Sequence, residues 1–177
     1  MANVNCSTQA KRDDAVIRRA LSILERRAVR HGWDCGSSAS AKTYLALRLS
    51  HKPHEIFTII LLDAQSRVIA IEELFRGTLT QTAVFPREVV KLALQHNAAR
   101  VMFAHNHPSG VSKPSDADKL LTIVLANALK LVDVQVLDHF IVGSEDVLSF
   151  AEQNLAPFGG REAYHNGKRR SQTGKIR

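Results

Sequence analysis

Between Asp13 and His31, apolar residues recur at helical spacing. Val16, Ala20, Ile23, Leu24 and Ala28 share one face, and Arg18, Arg19, Arg26 and Arg30 lie on the other. Asp13 or Asp14 caps this predicted helix and Gly32 stops it. GSSAS at 36–40 reads as a linker or cap, and Ser40 to Leu49 as a second helix. The pattern changes at Pro53. Glu55 to Leu62 (EIFTIILL) is an unbroken run rich in β-branched residues, the mark of a strand buried on both faces. A turn at Asp63–Ser66 leads into a second strand, Arg67 to Leu74, so the pair reads as a hairpin, broken at Gly77. Pro86 opens a helix reaching about Asn97, and Arg100 to Ala104 is a short buried strand. His105 to Pro114 is a loop, and Ser115 caps a helix reaching about Lys130. Val132 to Leu137 and His139 to Val142 read as two strands, and Ser144 opens a last short helical stretch.

Alternating strands and helices after residue 53 predict an α/β class, a central sheet covered by helices. The expected division is a disordered lead at 1–12, a helical segment at 13–50, a core domain at 51–157 and a basic flexible tail at 158–177.

Composition narrows the classes. The 177 residues fit one ordinary domain, and 45% hydrophobic with 23% charged residues excludes wholesale disorder or a disulfide scaffold. The longest apolar candidate for a membrane span, Leu120 to Leu137, is interrupted by Asn127, Lys130 and Asp133. The opening MANVNCSTQAKRDD lacks the apolar stretch of a secretory signal, and Cys6 and Cys35 match no metal spacing, so a reducing cytoplasmic setting is expected. The net charge of +7 sits at the ends: residues 1–50 balance to +5, residues 51–160 to −3 and residues 161–177 to +5. Basic ends hold phosphates without sequence preference, so nucleic acid is a candidate partner; solvated helix faces and tails carry the same charges. At 6%, aromatic residues are too sparse for an obvious base-stacking platform.

The stretch that carries chemistry is AHNHPSGVSKPSDAD, residues 104–118. His105 and His107 stand one residue apart where a buried strand ends, and in an extended segment both imidazoles face the same side. Asp118 lies in the first turn of the helix capped by Ser115, with Asp116 beside it. Folded back over the loop, that turn brings two ring nitrogens and a carboxylate together, three protein ligands with a fourth position open, as in catalytic zinc sites. Taken singly, each element has a plain reading: His-x-His pairs arise by chance, and a first-turn carboxylate is favoured by the helix dipole alone. Two His and a carboxylate also describe non-haem iron sites. The literal string His105-Asn106-His107 is not the nuclease motif written with the same letters.

His105, His107, Ser115 and Asp118 together resemble the signature of JAB/MPN (JAMM) metalloproteases. GT at 77–78, PRE at 86–88, HNHPSG at 105–110, PSDAD at 114–118 and DH at 138–139 are similar to the RadC-like branch of bacterial JAB proteins, over roughly residues 45–155. The resemblance implies a mixed sheet flanked by helices, the JAB/MPN architecture akin to cytidine deaminases. It selects Asp118 as third ligand, Zn2+ as cofactor and a peptide or protein as substrate. It also implies a short form without the helix-hairpin-helix domain of full-length relatives.

In such enzymes a glutamate on an earlier strand deprotonates the metal-bound water; Glu55 matches it, with Glu72, Glu73 and Glu88 as rivals. Ser115 would stabilise the oxyanion, unless it is simply a helix cap. His139 beside Asp138 reads either as a pair behind the site or as a satisfied core histidine. The implied activity is metal-assisted amide hydrolysis. The alternatives are a DNA-associated accessory protein, the DNA-repair role attached to the RadC name, and a nuclease using the same metal pocket.

Overall fold

The computed structural model describes residues 3–31, 38–77, 84–156 and 158. Four helices and five strands follow in the order α1 (Asn3–His31), α2 (Ser38–Leu49), β1 (Glu55–Leu62), β2 (Val68–Gly77), α3 (Pro86–Gln95), β3 (Arg100–Asn106), α4 (Asp116–Lys130), β4 (Gln135–Val142) and β5 (Val147–Ser149). The strands form one mixed sheet, ordered β2-β1-β3-β4-β5. Among the described residues only β3 and β4 run parallel, and α4 provides the crossover that a parallel pair requires.

Each central strand is buried on both faces because alternate side chains serve two separate cores. Ile56, Ile60, Met102, Ala104 and Phe140 pack against Tyr44, Leu45 and Leu49 of α2, with Leu21 and Leu24 of α1 at the margin. Phe57, Ile59, Leu61, Val101 and Phe103 pack on the other face against Val89 and Ala93 of α3 and Leu125 and Leu129 of α4. The β1–β2 turn is built by Asp63, whose Oδ1 accepts from the backbone N–H groups of Gln65 and Arg67.

Several expectations shift. Residues 3–12, expected as a disordered lead, are the first turns of α1, and Val16 and Ala20 face solvent while Leu21 and Leu24 make the contact with the core. Strand β3 runs two residues further than expected, so His105 and Asn106 belong to the sheet rather than to the loop. The two strands expected at 132–137 and 139–142 are one, β4: Asp138 does not break it, because its carboxylate accepts the backbone N–H groups of His139 and Ala151 and the Ser149 hydroxyl. In place of a helix after Ser144, β5 pairs with β4. Phe158, at the start of the expected tail, packs against the α3/α4 core. Residues 159–177, part of the 36–40 linker and Thr78 lie outside the described residues.

Candidate metal centre

Three chain segments meet at one end of the sheet. Strand β3 ends there with His105 and Asn106, and His107 follows. Strand β1 is antiparallel to it, with Phe57 opposite His105, so its first residue, Glu55, arrives at the same end. Helix α4 begins its return crossover there. Its N-cap is a reciprocal box: the Ser115 hydroxyl oxygen accepts from the Asp118 backbone N–H (3.2 Å), and the Asp118 Oδ2 accepts from the Ser115 N–H (2.7 Å). The cap therefore fixes the Asp118 side chain as well as the helix start.

One ligand atom from each of Glu55, His105, His107 and Asp118 lies within 4.8 Å of the others. His105 Nε2 is 3.0 Å from His107 Nε2, 3.2 Å from Asp118 Oδ1 and 3.8 Å from Glu55 Oε1; His107 Nε2 is 3.6 Å from Asp118 Oδ2. The His105 side chain is fully buried and those of Asp118 and Glu55 are 3% and 12% exposed, while His107, at 18%, opens toward solvent.

The proton on each Nδ1 follows from the acceptor that faces it. The Thr122 hydroxyl donates to the Asp118 backbone carbonyl (2.6 Å) and so accepts from His139 Nδ1–H, also 2.6 Å away. His139 is wholly enclosed; burial, then the neighbouring His105, pushes its pKa well below the ordinary value, so the ring is neutral. Its bare Nε2 takes the Nδ1–H of His105 at 2.9 Å. His105 is left with an unprotonated Nε2 facing the cluster. His107 donates its Nδ1–H to the Val111 carbonyl at 2.7 Å, which turns its Nε2 toward the cluster.

The Nε2 atoms of His105 and His107 thus approach to 3.0 Å beside two carboxylates. Two imidazoles with carboxylate oxygens match the donors a divalent ion takes. The Asp118 contact raises the His107 pKa against burial. Burial alone would raise the Asp118 carboxyl, but His105, His107 and the Ser115 hydroxyl hold it well below the usual carboxylate range. The residues present fit a divalent metal ion.

The other candidates separate from this cluster. Glu72 lies 4.0 Å from His96, Glu73 pairs with Arg48, and Glu88 with Arg87. Asp116 is exposed and held by Lys119. The Ser115 hydroxyl, expected to face an oxyanion, is 2.6 Å from Asp118 Oδ2, so its single proton is committed to that carboxylate. Asp138 and His139 do not pair through their side chains. His139 alone stands behind His105, while Asp138 binds backbone and Ser149. The one sequence hint of His139's place is its position in a strand alongside 100–104; that it stands opposite Phe103 follows from strand pairing.

The fold and site define a class: a mixed-sheet α/β domain with a His-x-His and Asp cluster at the sheet end, the JAB/MPN type. The RadC-like JAB domain family matches residues 35–155, and the chain belongs to that family. It is 56% identical over 141 residues to a UPF0758 protein of Nitrosomonas eutropha, covering 77% of this chain and 63% of that protein. It is 64% identical over 119 residues to one of Nitrosospira multiformis, covering 67% and 53%. The chain thus spans little more than half the length of these relatives. Among the described residues no helix is long and apolar enough to cross a membrane.

Proposed function

We propose that this protein is a zinc-dependent hydrolase of the JAMM type that cleaves peptide or isopeptide bonds. The observation that carries the reading is the convergence of the His105 and His107 Nε2 atoms, 3.0 Å apart, with the Asp118 and Glu55 carboxylates. His105, His107 and Asp118 would hold the ion. When bound, it supplies Lewis acidity, polarising a scissile carbonyl and acidifying water at its side.

The chain's own groups do the rest. Glu55, mostly shielded from solvent yet beside the ligands, accepts the proton of the attacking water and returns it to the leaving amine nitrogen. Thr122 and His139 keep the proton of His105 on Nδ1, and Val111 does the same for His107. Ser115 orients Asp118 by cap and hydroxyl; oxyanion contact from this residue requires that hydroxyl to leave Asp118. The exposed side of His107 gives substrate its approach.

The test compares the purified protein with Glu55→Gln. Wild type is expected to hold about one zinc per chain and to hydrolyse peptide substrates in a chelator-sensitive manner. Glu55→Gln keeps the metal and loses turnover. Turnover retained in Glu55→Gln refutes the assignment of the base, and hydrolysis of nucleic acid but not peptide refutes the substrate class. A second reading, a DNA-associated accessory role, is favoured by one observation: Lys11, Arg12, Arg18, Arg19 and Arg26 are all exposed on α1.

A further inference from the structure

Asn106 sits between the two histidines, is 1% exposed and belongs to no part of the ligand cluster. Its side chain leaves the opposite face of β3 and reaches the segment before β1. The paired register of β1 with β3 ends at Phe57 and His105. Beyond it the Ile56 backbone N–H goes to Asn106 Oδ1 at 2.9 Å. The Asn106 amide then donates to the backbone carbonyls of His54 (3.0 Å) and Lys52 (3.3 Å). These bonds bracket Glu55, holding the carbonyl immediately before it and the N–H immediately after it.

We propose that Asn106 is a positioning residue for Glu55, locking the proposed base in register with the metal-ligating pair; the inference rests on the hydrolase reading above. Residues 105, 106 and 107 are consecutive, so one tripeptide carries both imidazoles on one side and the clamp for Glu55 on the other. A carboxamide is the side chain that offers an acceptor and two donors from one small planar group. An aspartate there keeps the acceptor but turns an oxygen toward two carbonyls, and a leucine or alanine leaves those carbonyls without a donor. Released from the clamp, residues 54–56 lose their tie to β3 and keep the pairing of Glu55 and Ile56 with Gly77 and Arg76 of β2, and the carboxylate loses its fixed place beside His105. A misplacement of about 1 Å is enough to cost about a hundredfold in rate.

The test uses the full chain loaded with cobalt(II), with 13C in the Glu carboxyls and 15N in the imidazoles. Wild type gives hyperfine-shifted Glu55 carboxyl and His105 and His107 ring N–H signals. In Asn106→Ala the cobalt affinity stays within about threefold and the imidazole signals hold, while the Glu55 signal moves toward its diamagnetic position. Turnover, where a peptide is cleaved, falls about a hundredfold, and adding Asn106→Ala to Glu55→Gln lowers it no further. A Glu55 signal unmoved by Asn106→Ala overturns the proposal, as does a loss of cobalt affinity in parallel with it. Should Asn106→Ala not fold, Asn106→Leu, close to asparagine in shape and without a donor, leaves the same two carbonyls undonated and takes its place. If wild type takes up no cobalt, the metal reading fails, and the metal-free protein still decides the proposal. Slow exchange of the Asn106 side-chain amide, with a Glu55 carboxyl line displaced in the variant, supports it. Fast exchange of that amide, or an undisplaced line, overturns it.

Discussion

Replacing Thr122 with valine removes one hydroxyl two residues' contacts away from the ligand cluster, with almost no change of shape. In the wild type that hydroxyl accepts His139 Nδ1–H and donates to the Asp118 carbonyl, both at 2.6 Å. The variant has two responses. His139 keeps its proton on Nδ1 and buries it without a partner, at about 1–3 kcal/mol. Alternatively the proton moves to His139 Nε2, and His105, 2.9 Å away, must then accept at Nδ1 and carry its own proton on Nε2, where a metal needs the lone pair. The second route relieves the metal-free protein but is closed once metal binds, so the cost falls on metal affinity rather than on the apo fold. The expected loss is about 10- to 100-fold in zinc affinity, or about 1.4–2.8 kcal/mol, with a smaller change in the melting temperature of the metal-free protein. Competition against a chelating dye measures the affinity, and 15N shifts of the imidazoles report the His105 tautomer. Thr122→Ser retains the hydroxyl and is expected to restore both. An unchanged zinc affinity in Thr122→Val, with His105 still protonated on Nδ1, refutes the argument that these acceptors set the tautomer.

Other outcomes follow from the same geometry. A Cβ on Gly143 would lie 2.7 Å from the Gly110 carbonyl oxygen, 2.9 Å from Asp146 Oδ1 and 3.1 Å from the Ser112 backbone nitrogen. Gly143→Ala is therefore expected to cost about 1–3 kcal/mol in a thermal melt and to weaken zinc binding, because the displaced loop carries the Val111 carbonyl that orients His107. Burial, partly offset by the Ser149 hydroxyl and the Ala151 and His139 N–H groups, pushes the Asp138 carboxyl up from 3.8 to about 6. Its folded pKa lies above its unfolded one, so its contribution is complete below 3.8 and is lost as pH rises through about 6. Relative to Asp138→Asn, wild type is expected to lose up to about 3 kcal/mol between pH 4 and 8 in denaturant titrations; parallel pH profiles would contradict this. On the nucleic-acid reading, changing Arg18, Arg19 and Arg26 to Glu weakens DNA binding and lowers its salt slope by up to about 3, and a wild type that binds no DNA at low salt dismisses that reading.

Local chemistry makes much of this protein legible in its sequence. Ser115 and Asp118 stand at the spacing of a capping box, and that box starts α4 at the predicted position. The continuous apolar run at 55–62 marks a strand covered on both faces, and the two cores on either side of β1 are the outcome. His105, His107 and a carboxylate of the α4 first turn are readable as one cluster because only a dozen residues separate them; the resemblance to JAB proteins chose Asp118 over Asp116. The resemblance to JAB proteins supplies Glu55, which no local spacing connects to the histidines.

What tertiary structure alone decided depends on register between distant segments. Glu55 reaches the histidines because β1 is antiparallel to β3 with Phe57 opposite His105. His139 stands behind His105 because β4 runs parallel to β3 with Phe103 opposite His139. Asn106 has no partner visible in the sequence, since the groups it binds lie 50 to 54 residues away. A chain's periodicity specifies which face each side chain takes, but pairing energy is spread over whole strands and cores. The neighbours of a single buried polar group are therefore settled only when those strands have met.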